Sequence, residues 1–132
     1  MREIMFRGKD KRNGEWEWGG YFNGVGAAHI VAERLGGFVE MVEVDPETVG
    51  EYTGLKDKSG KRIYEGDILR DDWGKIYNVF FSFKSCSFMA EIAGEHSEYE
   101  TGNYRIGKAW CDTIRVVGNV HDNPDLLKGG TE

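Results

Sequence analysis

Three histidines, two cysteines and paired carboxylates such as Glu65 and Asp67 are the residues of this chain whose types could support chemistry. A zinc site needs four Cys, His or acidic ligands, usually supplied in close pairs. His29, His96 and His121 stand far apart, with no second His or Cys at ligand spacing. Only His96 has acidic company, in Glu95, Glu98 and Glu100, and a loop so dense in carboxylates reads as solvated. Nucleophilic catalysis needs a Ser or Cys with a base held beside it. Cys86 falls on an expected core strand. Cys111 lies between Trp110 and Asp112, where only the fold could bring His121 near it. Both read as free thiols packed like small apolar groups, with a disulfide between them as the alternative. Glu65 and Asp67, two apart on an extended chain, would point the same way, as acid–base work requires. Asp67 has a plainer role after Gly66, accepting backbone amides at a turn and fixing where a strand starts; Asp57 has the same role. Gly24-Val25-Gly26 and Leu35-Gly36-Gly37 lack the lysine or helix of a phosphate loop. No catalytic residue, metal ligand or cofactor is nominated, and the chain is expected not to be an enzyme.

Binding residues are easier to name. Trp16, Trp18, Trp73 and Trp110 are the large anchors a partner surface would use. Glu15-Trp16-Glu17-Trp18 alternates, which puts Trp16, Trp18 and Phe22 on one face if the strand continues. Such a face could stack bases or sugars, but the intervening glutamates repel phosphate, and core or subunit-interface packing is the simpler expectation. Net charge is −6. Residues 1–70 carry 11 Lys/Arg against 13 Asp/Glu, and residues 71–132 carry 6 against 10. Neither half has the basic excess that phosphate binding usually needs. The local basic group Arg7, Lys9, Lys11 and Arg12 reads as a solvated hairpin tip.

The elements that must position these residues are short strands. Nineteen glycines against two prolines imply many tight turns. A length of 132 residues suits one domain or two very small ones. Arg2–Arg7 is expected as a first strand, and Gly8–Gly14 as a hairpin loop. Ala27–Leu35 suits either a two-turn helix or a hairpin with Phe38–Val44, and the hairpin is preferred. Asp45-Pro46 ends that strand and opens a single helical turn. Lys75–Lys84 is the strongest strand, apolar on both faces and therefore central. Cys86, Phe88, Ala90 and Ile92 continue in alternation. Gly94–Lys108 is polar, a mobile loop or an edge hairpin. Thr113–Val117 closes the sheet, Asn123-Pro124 caps a last helical turn whose Leu126 and Leu127 dock on the core, and residues 128–132 should fray. With no signal peptide and no long apolar run, a protein of a soluble, reducing compartment is expected, the bacterial cytoplasm.

The chain is organised around Glu47–Arg70. Asp57-Lys58-Ser59-Gly60 is the core of a tight turn, and Gly50, Gly54 and Gly66 break the apolar positions unevenly, so the stretch reads as a lead-in, a turn and a strand from Asp67. The residues Asp45, Pro46, Thr48, Val49, Gly50, Tyr52, Thr53, Gly54, Leu55 and Asp57, then Gly60, Ile63, Tyr64, Glu65, Gly66 and Asp67, resemble the signature of the YopX family. These are small proteins of phages and prophages. The opening Met1–Lys9 matches as well, as does the closing run with Gly118, Asn119, Asn123 and Pro124. The resemblance implies a mostly β protein with a small SH3-like barrel in its C-terminal half and no established activity. The expected layout is thus an N-terminal β-hairpin subdomain (1–46) packed on a barrel with a short C-terminal helical turn (47–132). The expected role is a phage-related interaction or assembly protein that pairs with itself or with a host or phage protein. A nucleic-acid-associated regulatory module is the alternative, and a small enzyme with an unrecognised site is the lesser one.

Overall fold

The computed structural model describes residues 2–93 and 103–128. The cluster around His96 and the final residues 129–132 lie outside them. The chain is mostly β, in two compact units, Met1–Tyr52 and Thr53–Glu132.

The first unit holds β1 (Phe6–Lys9), β2 (Trp16–Gly24), β3 (Ala27–Glu33), β4 (Val39–Val44) and the start of β5 (Gly50–Lys56). They run antiparallel in the order β4-β3-β2-β1-β5. The ambiguous segment is strand. Ala28, Ile30 and Ala32 alternate inward, and Ala28 and Ile30 face Val44 and Val42 across the ladder. This small-residue core closes with Phe6 and Val49. At Gly19 strand β2 changes partner, from β1 for residues 16–19 to β3 for residues 20–24. A Cβ on Gly19 would run into the carbonyl of Val31, so only glycine allows the two strands that approach.

The first strand begins later than the sequence suggests. Gly8 and Lys9 pair with Glu17 and Trp16, which leaves Asp10–Gly14 as the turn. That turn folds back on β4. Asp10 bridges Val44, Lys11 N–H donates to Glu43 O at 3.1 Å, and Asp45 N–H donates to Lys9 O at 2.9 Å. The outer edge of β4 is thereby occupied, and the sheet curls on itself. Asp45 then caps Pro46–Thr48 by accepting Glu47 N–H at 3.1 Å, as the Asp-Pro pair predicts.

The second unit holds residues 53–56 of β5, β6 (Arg62–Tyr64), β7 (Asp67–Asp71), β8 (Ile76–Ser82), β9 (Ser87–Ile92), β10 (Asn103–Arg105), α1 (Lys108–Cys111) and β11 (Ile114–Asn119). A 3-10 turn, Pro124–Leu127, follows. Five strands form an antiparallel sheet in the order β10-β9-β8-β7-β11. Strand β8 is central and buried, as its two apolar faces require. One cluster joins Ile63, Leu69, Tyr77, Val79, Ala90, Ile92, Cys111 and Ile114. The other joins Ile68, Ile76 and Ala93 to Val120, Leu126 and Leu127. Among the described residues the strands do not close into a barrel. The sheet is open and buries side chains from both faces.

The sequence expectation also departs from the fold elsewhere. The glycines of the signature interrupt its apolar pattern without breaking its ladder, so β5 and β6 stand where a lead-in was expected. The units divide within β5, beyond the Pro46 boundary, because Gly50 and Glu51 still pair with β1. Phe83 and Cys86 lie in the β8–β9 turn rather than on a core strand; both are exposed, and Cys86 takes φ 51°. Strand β10 pairs along β9 in the part of the polar stretch that is described.

Candidate functional site

Asp57 and Asp67 accept backbone amides. Asp57 Oδ1 accepts Ser59 N–H at 2.8 Å and Lys61 N–H at 2.9 Å, and Oδ2 accepts Val116 N–H at 2.9 Å. Asp67, 1 % exposed, accepts Tyr64 N–H at 2.7 Å. Glu65 is half-buried and separated from Asp67 by Gly66 at φ 90°. The two carboxylates therefore flank a turn instead of sharing one side of an extended strand. Asp71, buried, accepts Trp73 N–H and Lys75 N–H at 2.9 Å each, and the Tyr77 hydroxyl at 2.8 Å. These aspartates latch the turns around β6, β7 and β8.

The other signature residues do similar work. Thr48 Oγ1 accepts Lys9 N–H at 2.9 Å, and Thr53 Oγ1 donates to Ile63 O at 2.8 Å. Tyr52 N–H reaches Met5 O, while Gly54 and Gly60 hold positive φ. Leu55, Ile63 and Tyr64 pack inward. Gly66 donates to Val79 O and accepts from Val120 N–H. Asn119 Oδ1 gathers the amides of His121 and Asp122. Asn123 does not cap Pro124 with its side chain. Its Oδ1 turns back to Asn119 N–H at 3.2 Å, against Gly118, where a Cβ would collide with it.

Cys111 is buried, and burial followed by the charges of Asp112 and Asp57 pushes its thiol up to about 11. A thiol so held is a poor nucleophile at neutral pH. His121 is exposed on the turn after β11. His29 sits on β3 beside Phe22, ring centroids 6.0 Å apart. Among the described residues no group of three Cys, His, Asp or Glu could hold a metal.

Of the basic group near the N-terminus, Lys11 and Arg12 are exposed at the turn, whereas Arg7 and Lys9 are not. Arg7 is buried, its guanidinium 4.7 Å from the Trp16 ring centre, with the Lys9 ammonium at 5.4 Å. These are cation–π distances. Lys11 pairs with Glu43 at 3.1 Å, and Arg12 with Asp10 at 2.9 Å and Glu40 at 3.7 Å. Trp16 is half-buried and already carries two cations, so it is no open stacking platform. Trp18 is 49 % exposed. In the second unit Trp110 packs edge-on to Tyr77 and against the core, while Trp73 stands 76 % exposed at the tip of the β7–β8 turn.

Beside that turn lies a cleft of about 150 Å³ lined by Lys58, Arg70, Asp71, Asp72, Arg115 and Val117. Strands β7 and β11 place Arg70 and Arg115 directly opposite one another. Lys58 reaches the cleft from the signature turn, which is fixed by Lys58 N–H donating to Ile114 O at 3.1 Å. Its ammonium bonds Asp72 Oδ1. Asp71 is also in the lining, so the cleft holds three basic and two acidic side chains. It is a polar cleft with charges of both signs, on a chain of net charge −6. The residue pattern did not single it out: Arg70 and Arg115 each sit on an ordinary alternating strand, and nothing local says that the strands pair.

A family model described as "YopX protein" matches residues 5–128. Among solved structures, "Crystal structure of protein EF1440 from Enterococcus faecalis" is similar, with a TM-score of 0.55 and 25% identity over 97% of this chain and 100% of that one. A search of the curated proteins finds no match. No described helix is long and apolar enough to cross a membrane.

Proposed function

The chain belongs to the YopX protein family, and from that premise we propose that it is a non-enzymatic interaction protein of phage or prophage setting, acting in the bacterial cytoplasm. The observation that carries this reading is the pairing of an exposed Trp73 with a cleft bearing Arg70, Arg115 and Lys58. Tryptophan and arginine are the residues that most often anchor protein interfaces. Asp57 and Asp67 instead hold turns, and the Cys111 thiol lies in the core. The SH3-like character implied for the C-terminal half belongs to this proposal: a small antiparallel sheet displays a turn and a cleft to a partner. Self-association belongs to it too. Val39 and Met41 stand exposed on β4, and Met41 lies opposite Val31, an apolar row suited to a second copy.

The test is capture of partners by the tagged full chain from bacterial lysate, with and without nuclease. One defined protein recovered in both arms supports the reading, and recovery that vanishes with nuclease replaces it with nucleic-acid association. Light scattering of the purified chain at a monomer mass would remove the self-association.

A further inference from the structure

We infer that the open part of the β4 edge is a pairing site for β4 of a second copy, an assignment that rests on the self-association proposed above. The two strands join antiparallel about a two-fold axis at Glu40. Bonding across the β3–β4 hairpin fixes which backbone groups face outward. Arg34 N–H donates to Phe38 O at 2.8 Å, so the hydrogen-bonded pairs further along the ladder are Ala32–Glu40, Ile30–Val42 and Ala28–Val44. The N–H and C=O groups of Val39, Met41 and Glu43 therefore point to the outer edge. The turn that occupies this edge covers only its end, where Lys11 N–H donates to Glu43 O and Asp45 N–H to Lys9 O. Among the described residues no strand pairs with the outer side of β4 at Val39 and Met41, which stand 61 % and 55 % exposed. Neither position carries the charge or proline that would blunt such an edge, and an unpaired apolar edge is a template for another strand.

Length, register and charge select a second copy as the occupant. The open edge ends at Glu43, so a long partner strand would run into the Asp10–Gly14 turn. Antiparallel pairing about Glu40 sets Val39 of each copy opposite Met41 of the other. Every open edge donor and acceptor of both strands is then bonded, and none is asked to pass the turn. The side chains follow the same register. Val39 and Met41 lie on the face where Met41 stands opposite Val31 and Phe22 opposite His29, so the apolar row continues across the axis. Glu40 meets its counterpart on the other face, and like charges directly opposite weaken a pair. Each Glu40 is held within its own chain, however, accepting Arg34 Nε–H at 2.9 Å with Arg12 at 3.7 Å. Glu43, the other carboxylate of β4, pairs with Lys11 at 3.1 Å. The strand thus presents no bare carboxylate to another chain of net charge −6.

The test is the mass of the full chain by analytical ultracentrifugation from micromolar to millimolar concentration, with amide exchange at both ends of that range. Wild type should reach the dimer mass, and its Val39 and Met41 amides should exchange at least tenfold more slowly where the dimer prevails. Met41→Lys places a charge on the edge. Met41→Pro removes a donor that points away from β3 and so leaves the ladder whole. Both should stay monomeric at the concentration where wild type is paired, with the circular dichroism of wild type. Val25→Asn removes an exposed apolar residue from the β2–β3 turn, away from the edge, and should dimerise as wild type does. A dimer that persists in both Met41 variants overturns the edge pairing but leaves self-association standing. A monomer at every concentration overturns the self-association, and this inference with it. A monomer whose Val39 and Met41 amides become protected only when a captured lysate protein is added assigns the edge to that protein and overturns the second copy.

Discussion

Asp57 Oδ2 accepts the backbone N–H of Val116 at 2.9 Å, a hydrogen bond between residues 59 apart in sequence. The same carboxylate closes its own turn through Ser59 and Lys61, so one side chain both shapes the signature turn and ties it to the outer edge of β11. Asp57→Ala strands three amides. Each buried donor left unmade costs about 1–3 kcal/mol, so a loss of at least about 2 kcal/mol is expected in urea denaturation. Asp57→Asn keeps an acceptor and should lose less. Amide exchange at Val116 should quicken in the alanine variant, and an unchanged midpoint would show that the latch carries no stability.

Gly66 holds φ 90° while its N–H donates to Val79 and its carbonyl accepts from Val120. A branched side chain is strained at that angle, by about 1–3 kcal/mol. Gly66→Val should lower the melting temperature by several degrees. A melting curve that superimposes on the wild type would reject the requirement for glycine.

The two thiols should separate kinetically. Cys86 is exposed in a turn, and Cys111 is buried with its thiol pushed up to about 11. At pH 8 a thiol reagent should modify one cysteine quickly and the other only after denaturation. Cys86→Ser should abolish the fast phase, and a fast phase that persists would place Cys111 in solvent.

Asp10 is a buried carboxylate held below its ordinary value of 3.8, first by the Arg12 side chain and then by the Arg12 amide. Because folding depresses this pKa, its contribution is fully present above about pH 4 and is lost as pH falls through the folded value. Asp10→Asn should therefore be less stable than wild type at pH 7, with the gap closing as the pH falls through the lowered folded value. A gap that is constant with pH would mean the effect is packing rather than charge.

Trp73 touches a partner rather than the core if the proposed function holds. Trp73→Ala should change stability by no more than about 0.5 kcal/mol, yet abolish partner recovery from lysate. Recovery at the wild-type level would move the interface away from this turn.

Turn chemistry was legible in the sequence because it is local. Asp45 caps Pro46–Thr48, Asp57 bonds two and four residues ahead, and Gly60 and Gly66 take positive φ. Each of these depends on residue types within about four positions. The central β8 and the β3–β4 hairpin were legible for a similar reason, since alternation reports which faces are buried. Pairing was not. Glycines at 50 and 54 hid β5, because an apolar pattern interrupted by glycine looks like a loop although the ladder uses only backbone. The sequence by itself thus determined the family, the β class and the turns. Only tertiary structure decided that Trp16 lies beneath Arg7 and Lys9, that Cys86 leaves the core, and that Arg70 meets Arg115. Strand register sets those relationships between distant segments, and no short-range rule encodes it.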